Sequence, residues 1–321
     1  MLVLLTVALA AAWAAPAAGR DSTAARPDSA VVAALPFRLA LRDTAAISRP
    51  NGAELGEPSG LVVDAFGRLF VCDAALNRVQ RYDGQGRWLG SSGTLGNDPT
   101  QLRRPGGLGL LGALRLAVLD CENRRVVAYD LFGKLDGVWA DFTTRDLEDA
   151  IGRVDPIALA SDRGGAVVVA DRERDRLLAF DFSGRFQREI GGYGARPGSF
   201  RGLAGVAFAP HGELVTAERV GARVQRLDAG GRVVASWPLH VGPGRGALAI
   251  AVDDSSRIAI ADEQSGRVTV FDRTGRVLAE RDDFAAPRAL AFGPDGALLV
   301  AEAGAARVRR FTLEPAAAGR D

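Results

Sequence analysis

A chain of 321 residues with 47% hydrophobic and 25% charged side chains can bury a sizeable core, which excludes a disordered polyelectrolyte. Lys+Arg number 40 and Asp+Glu 39, for a formal charge of +1, and that balance argues against a binder of nucleic acid or other polyanions. Lys134 is the sole lysine, so the arginine content reflects a compositional bias and not a phosphate-binding signature.

In chain order, Leu2 to Ala18 is uncharged and apolar and ends in Ala14-Ala15-Pro16-Ala17-Ala18. The segment 1–18 is expected to be a signal peptide cleaved after Ala17 or Ala18, although no Lys or Arg precedes the apolar run. The alternative is an uncleaved anchor, for which the length is marginal. No cysteine stands at the end of the run for a lipid anchor. The expectation is an exported protein, periplasmic or secreted, with no membrane span after cleavage. Residues 19–35 mix Arg, Asp, Ser, Ala and Pro without a period and read as a linker.

From residue 36 to 315 the chain repeats itself six times. An acid recurs at Asp73, Asp120, Asp171, Glu218, Asp262 and Glu302, and five positions after each stands Arg78, Arg125, Arg176, Arg223, Arg267 or Arg307. Five further on come Asp83, Asp130, Asp181, Asp228 and Asp272, with Thr312 as the exception, and three later Gly86, Gly133, Gly184, Gly231 and Gly275. Counting back 13 from each acid gives Gly60, Gly107, Ala158, Gly205, Ala249 and Ala289.

Each copy reads as four antiparallel strands. In the first, Leu61–Val63, Leu69–Cys72 and Arg78–Tyr82 are strands separated by Asp/Gly turns, and a fourth opens at Arg87. Units of this length and content are propeller blades. The sixth copy stops after its third strand, Arg307 to Leu313, and only the tail 316–321 follows. Phe37 to Asp43 resembles the fourth strand Arg276 to Asp282 and is predicted to complete blade six, removing an open sheet edge. The predicted fold is an all-β, six-bladed propeller closed by its own N-terminal strand.

The pattern Pro58-x-Gly60, Asp64-x-x-Gly67, Val71-x-Asp73, Asn77-Arg78-Val79-Gln80, Asp83-x-x-Gly86 resembles the NHL repeat. The connections Gly191-Gly192-Tyr193-Gly194…Gly198-Ser199-Phe200 and Gly90-Ser91-Ser92-Gly93 resemble that family's inter-repeat segment. The resemblance covers 37–313 and implies the propeller fold. It leaves function open, because NHL-like propellers include protein- and RNA-binding modules, extracellular sensors and some lyases. No Cys/His cluster supports a ubiquitin-ligase role.

The acid and arginine of each copy flank the link between strands two and three, so a structural pair across that hairpin is expected. The competing reading is a ring of carboxylates holding a cation. Tyr82, Tyr129, Phe180, Leu227, Phe271 and Phe311, with Val79 and its counterparts, read as core between blades in preference to a carbohydrate-stacking stripe. The small residues opening the first strands fit a crowded axis.

Catalysis on a propeller usually sits at the axial mouth. The residues preceding the small position are Ser59, Gly106, Ile157, Ala204, Leu248 and Arg288, and only the last is titratable. His211 and His240 lie elsewhere, so no metal site and no cofactor are expected; the alternative is a carboxylate metal site using Glu57 and Asp155. Cys72 and Cys121 read as separate thiols, with a disulfide as the alternative. The insertion 141–153 and the charged turns of blades two to four nominate Arg124, Arg145, Glu148, Arg172, Arg174, Arg219 and Arg288 as a binding patch, against a merely solvated rim.

The function expected from these residues is a non-enzymatic binding or scaffold module that contacts a protein, peptide or envelope polymer through its mouth face. A small-molecule lyase or lactonase-like enzyme is the runner-up. A periplasmic sensor unit is a third possibility.

Overall fold

Short apolar strands separated by Asp/Gly turns form six four-stranded antiparallel sheets in the computed structural model, which describes residues 35–43 and 54–316. The expected signal peptide 1–18, almost all of the linker 19–35 and the tail past Ala316 lie outside the described residues. Among the described residues no helix is long and apolar enough to cross a membrane.

Blade one comprises β2 (Pro58–Val63), β3 (Leu69–Asp73), β4 (Arg78–Tyr82) and β5 (Trp88–Ser92). Blade two comprises β6 (Pro105–Leu111), β7 (Arg115–Asp120), β8 (Arg125–Asp130) and β9 (Leu135–Asp141). Blade three is β10 (Pro156–Ser161), β11 (Val167–Asp171), β12 (Arg176–Phe180) and β13 (Phe186–Gly191). Blade four is β14 (Leu203–Phe208), β15 (Leu214–Glu218), β16 (Arg223–Leu227) and β17 (Val233–Pro238). Blade five is β18 (Leu248–Val252), β19 (Ile258–Asp262), β20 (Arg267–Phe271) and β21 (Val277–Arg281). Blade six joins β22 (Pro287–Phe292), β23 (Leu298–Glu302) and β24 (Arg307–Pro315) to β1 (Phe37–Asp43) from the other end of the chain.

The closing strand β1 runs antiparallel to β24, from Phe37 opposite Pro315 to Leu41 opposite Phe311. Leu39 is buried in the core between blades five and six, and Arg281 of β21 donates to its carbonyl at 3.1 Å. The two ends of the ring are thereby sewn into one sheet, and β1 covers the outer edge that β24 would otherwise expose.

Six core clusters fill the six seams between neighbouring blades. Val126, Ala128 and Leu119 of blade two, for example, pack on Val169, Leu178 and Phe180 of blade three. The inner strands touch around the axis, and the small residues there have a measurable reason. A Cβ on Gly60 would lie 3.3 Å from Gly107 Cα, and one on Gly205 would lie 2.0 Å from the Leu248 carbonyl oxygen.

Inner strands start earlier than alternation alone predicts, because of a β-bulge. In blade one Pro58 faces Asp73 but Gly60 faces Cys72, which leaves Ser59 extra, and the same shift recurs at Gly106, Ile157, Ala204 and Arg288. Blade five pairs Leu248 and Ala249 without it.

The insertion after blade two forms the short helix α1 (Arg145–Ile151) with Thr144 at its N-cap position. Phe142, Ile151 and Val154 are buried in the core between blades two and three, with Leu147 packed on it. The segment is therefore anchored in that seam and not a free docking arm, while Arg145, Asp146 and Asp149 remain exposed.

Candidate functional site: the axial mouth

The strand-two acids stand at the mouth end of each blade, and their geometry is that of clamps. Each carboxylate accepts backbone N–H groups from the segment that leads into its inner strand. Glu57 donates to Asp73 at 3.0 Å, Arg103 to Asp120 at 2.7 Å, Asp155 to Asp171 at 2.9 Å, Arg201 to Glu218 at 2.8 Å and Ala285 to Glu302 at 2.8 Å. Gly242 donates likewise to Asp262. All six acids are buried. Among the described residues no three His, Cys, Asp or Glu side chains converge as a metal cradle.

The arginine partners divide. Arg125, Arg176, Arg223 and Arg307 donate through Nε to Asp120, Asp171, Glu218 and Glu302 at 2.9, 2.8, 2.6 and 3.0 Å. In blades two to four the same guanidinium also reaches the inter-blade connection. Arg125 donates to the carbonyls of Asn97, Asp98 and Gln101, Arg176 to Ile151, and Arg223 to Ala195 and Ser199. One side chain thus fixes an acid and a loop together, which suits five fixed donors on a planar group.

Blades one and five depart from the expected pairing. Arg78 donates to the Glu54 carbonyl, and Gln80, two residues on, takes Asp73 at 3.3 Å. Arg267 pairs with Glu280 at 3.5 Å, and Asp262 is bound by Arg219 from blade four at 2.6 Å. Burial alone would raise the Asp262 carboxyl, but hydrogen bonds from Gly242, Arg219, Ser265 and Gln264 hold it below the usual carboxylate range.

Around the mouth itself, charges from four blades form an alternating chain. Arg288, the bulge residue of β22, donates to Glu263 of blade five at 2.7 Å and also to Glu57, just before β2. Glu57 further accepts from Arg104 at 3.3 Å, and Glu122 lies 3.8 Å from Arg104 and 3.6 Å from Arg103. The Glu263 carboxylate also accepts the Ala247 N–H at 2.8 Å. Arg288 is 27% exposed and Glu57 24%, so the centre of this chain is half-buried and open to the mouth. Burial lowers the Arg288 guanidinium from its ordinary value. Separately, Arg172 pairs with Asp155 at 2.8 Å. The two carboxylates considered as metal ligands, Glu57 and Asp155, are therefore engaged by guanidinium groups.

The remaining nominated binding residues are placed as follows. Arg219 is largely buried, bound to Asp262 and to the carbonyls of Gly242, Gly246 and Ala247, which makes it a staple between blades four and five. Arg174 donates to the Ile151 carbonyl at 3.1 Å, and Arg124 pairs with Glu148 at 3.3 Å, both steadying α1. Arg145 is exposed on the helix. Only Arg288 and Arg172 belong to mouth ion pairs. Sequence reasoning missed Glu263 and Arg104 as members of the site; the variable position directly after each acid, which holds Arg172, Arg219 and Glu263, carried the signal for Glu263.

Ser59 is structural, its hydroxyl donating to the Pro105 carbonyl at 2.5 Å. Cys72 and Cys121 are both free thiols. Burial first, then the neighbouring Asp120 and Asp155, pushes Cys121 up to about 12, and burial raises Cys72 as well. Burial thus favours the protonated thiol at both positions.

No family model matches the chain, and no curated protein does. Solved structures do resemble it. A streptogramin B lyase superposes with TM-score 0.61 at 13% identity, covering 87% of this chain and 98% of the other. A gluconolactonase from Xanthomonas campestris gives TM-score 0.61 at 16% identity, covering 87% and 95%. Hydrazine synthase from Kuenenia stuttgartiensis gives 0.56 at 16%, covering 81% and 84%. At these identities the likeness shows the fold alone: this chain is a six-bladed β-propeller.

Proposed function

We propose that this NHL-type propeller is a non-enzymatic binding module, acting outside the cytoplasm, that holds a protein, peptide or envelope polymer at its axial mouth. The observation that carries the reading is the Glu263–Arg288–Glu57–Arg104 chain, half-buried, drawn from four blades and placed where the inner strands begin. Each carboxylate in it already has a guanidinium, so the site offers no free base, no metal ligand set and no reactive thiol. It does offer exchangeable ion pairs. A partner's acidic or basic side chain can exchange with an exposed member of the chain such as Arg104, whose freed charge turns to solvent, which favours specificity over raw affinity.

The test is capture of partners from an envelope fraction by the whole protein and by an Arg288→Gln/Arg104→Gln variant. Loss of the captured species by the variant, with its melting temperature preserved, supports the mouth as the contact face. Undiminished recovery overturns it.

The fold neighbours favour a second reading, a small-molecule lyase or lactonase-like enzyme. That reading requires Glu57 or Asp155 to leave its arginine and act as a base or a ligand. Stoichiometric metal in the purified protein that is lost in Glu57→Gln, or turnover of gluconolactone abolished by the same change, would put the enzyme first.

A further inference from the structure

The face opposite the mouth carries an asymmetry that the fold does not need. Four apolar side chains stand at hairpin tips of blades one to three: Phe66 is 80% exposed, Leu114 77%, Phe132 76% and Phe182 66%. The corresponding tips of blades four to six hold His211, Gly230, Ser255, Thr274 and Asp295. Six-fold repetition alone would make these turns alike, and a soluble rim would make them polar.

Three of the four apolar tips surround a hollow of ≈ 580 Å³ between blades one and two, lined by Phe66, Arg68, Leu114, Asp130, Leu131 and Phe132 among others. That size lies within the roughly 300–1,000 Å³ typical of small-molecule sites. Its walls are apolar, and its two charged groups are opposite in sign and incompletely used. The Arg68 guanidinium sits between two rings, 5.5 Å from the Phe66 centroid and 5.8 Å from that of Phe132. Its Nε is bound to Asp64 at 2.6 Å, while Nη1 and Nη2 make no hydrogen bond among the described residues. Asp130 accepts the Phe132 and Lys134 N–H groups on Oδ1 at 2.9 and 2.8 Å. Its Oδ2 makes no hydrogen bond among the described residues.

Asp130 belongs to the turns of the ring in which the second carboxylate oxygen is not taken by an arginine four residues on, as at Asp228. After Asp64, Asp83, Asp253 and Asp272 an arginine four residues on binds the second carboxylate oxygen at 2.6, 2.7, 2.5 and 3.1 Å. After Asp130 that place is taken by Lys134, the only lysine of the chain, and no such pair forms. Hydrogen bonds from the Lys134 N–H and its turn keep Asp130 ionised, below the usual carboxylate range. Arg81 stands beside it with its Nε buried and unpartnered, so the surroundings carry Arg68, Arg81 and Lys134 against Asp64 and Asp130.

We propose that this hollow is a binding site for a small apolar zwitterion, a free α-amino acid with a hydrophobic side chain. Its carboxylate meets the terminal nitrogens of Arg68, its ammonium meets Asp130 Oδ2, and its side chain lies against Phe66, Leu114 and Phe132. A zwitterion brings a counterpart to each of the two facing charges, whereas a monopolar ligand engages only one of them. The site is independent of the mouth, on the opposite ends of the strands, so either assignment can fail without the other.

Calorimetric titration of the whole protein with leucine and with phenylalanine tests it. Saturable binding with one site per chain is expected, weakened about tenfold or more for N-acetyl-leucine and for leucinamide, each of which lacks one charge. Leu114→Ser and Asp130→Asn should each cause a comparable loss. The first lies at an exposed tip and the second keeps the Oδ1 acceptor of the turn, so both variants are expected to fold, as their melting curves will report. The mouth variant Arg288→Gln should bind leucine as the native protein does. No saturable heat with either amino acid at millimolar concentration overturns the proposal. So does N-acetyl-leucine or decanoate binding as tightly as leucine, or binding indifferent to both hollow variants.

Discussion

Arg176 shows what a single side chain does in this ring. It is 2% exposed, donates to the fully buried Asp171, to Glu189 and to the Ile151 carbonyl, and so closes its own hairpin while holding the C-terminal end of α1. Truncation strands a buried carboxylate and frees a loop. Arg176→Ala is expected to cost about 3–5 kcal/mol, the range for breaking a buried pair by removing one partner. Arg267, partly exposed and paired with Glu280 at 3.5 Å, is the matched control, and Arg267→Ala should cost about 0–1 kcal/mol. Urea titrations of both variants check this; equal losses would show that burial does not set the worth of these pairs. The sequence pattern made both arginines look alike, because it reports spacing and not depth. In blade one Arg78 and Gln80 lie two apart on one strand and share a face, so spacing could not decide which of them would take Asp73.

Among elements, strands and their order were legible because each carries its own signal: alternation, an Asp/Gly turn, a small residue at the axis. The closing strand was legible too, since FRLALRD repeats the character of a strand that blade six lacks. Its worth can be argued from what it covers. β1 pairs with β24 over Phe37 to Asp43, buries Leu39 among Phe284, Leu278 and Phe311, and receives Arg281 on its backbone. Removing residues 36–43 would expose that seam and the β24 edge together. The melting temperature should fall sharply, and the variant should self-associate through the open edge. An unchanged melting curve by calorimetry would mean that the ring does not depend on this strand. What the pattern could not reveal at this scale was the bulge at each inner-strand entrance. It also could not foresee that 141–153 would bury Phe142, Ile151 and Val154, for an insertion has no copies to be compared with.

At the scale of the whole molecule, Arg288 and Glu57 could be assigned to the mouth, but their ion-pair chain was illegible for a geometric reason: Glu263, Arg288, Glu57 and Arg104 meet only once six blades have closed into a circle. Repetition of one turn around the ring gives the protein a shared response to acid. Asp283 is held down to about 2, chiefly by the hydrogen bond from Arg281 and then by the charge of Arg309, in the connection between blades five and six. At Asp272 burial acts upward, but hydrogen bonds from Thr274 and Arg276 prevail and bring it to about 2. Asp83, Asp130, Asp181 and Asp295 are lowered as well. Buried Asp120 is the counter-example, raised by desolvation. A carboxyl whose folded pKa lies below its unfolded value of about 3.9 takes up its proton first in the unfolded chain. Its contribution is therefore complete above about pH 4 and is lost as the pH falls toward 2. Stability measured by urea unfolding should stay level from neutral pH to about 5, then decline steeply below about 4. Asp272→Asn/Asp283→Asn should start from a lower plateau and decline less steeply, because two of the titrating groups are gone. Stability that rises on acidification, or an acid limb identical in the variant, would assign the acid response to groups other than these turn and connection carboxylates.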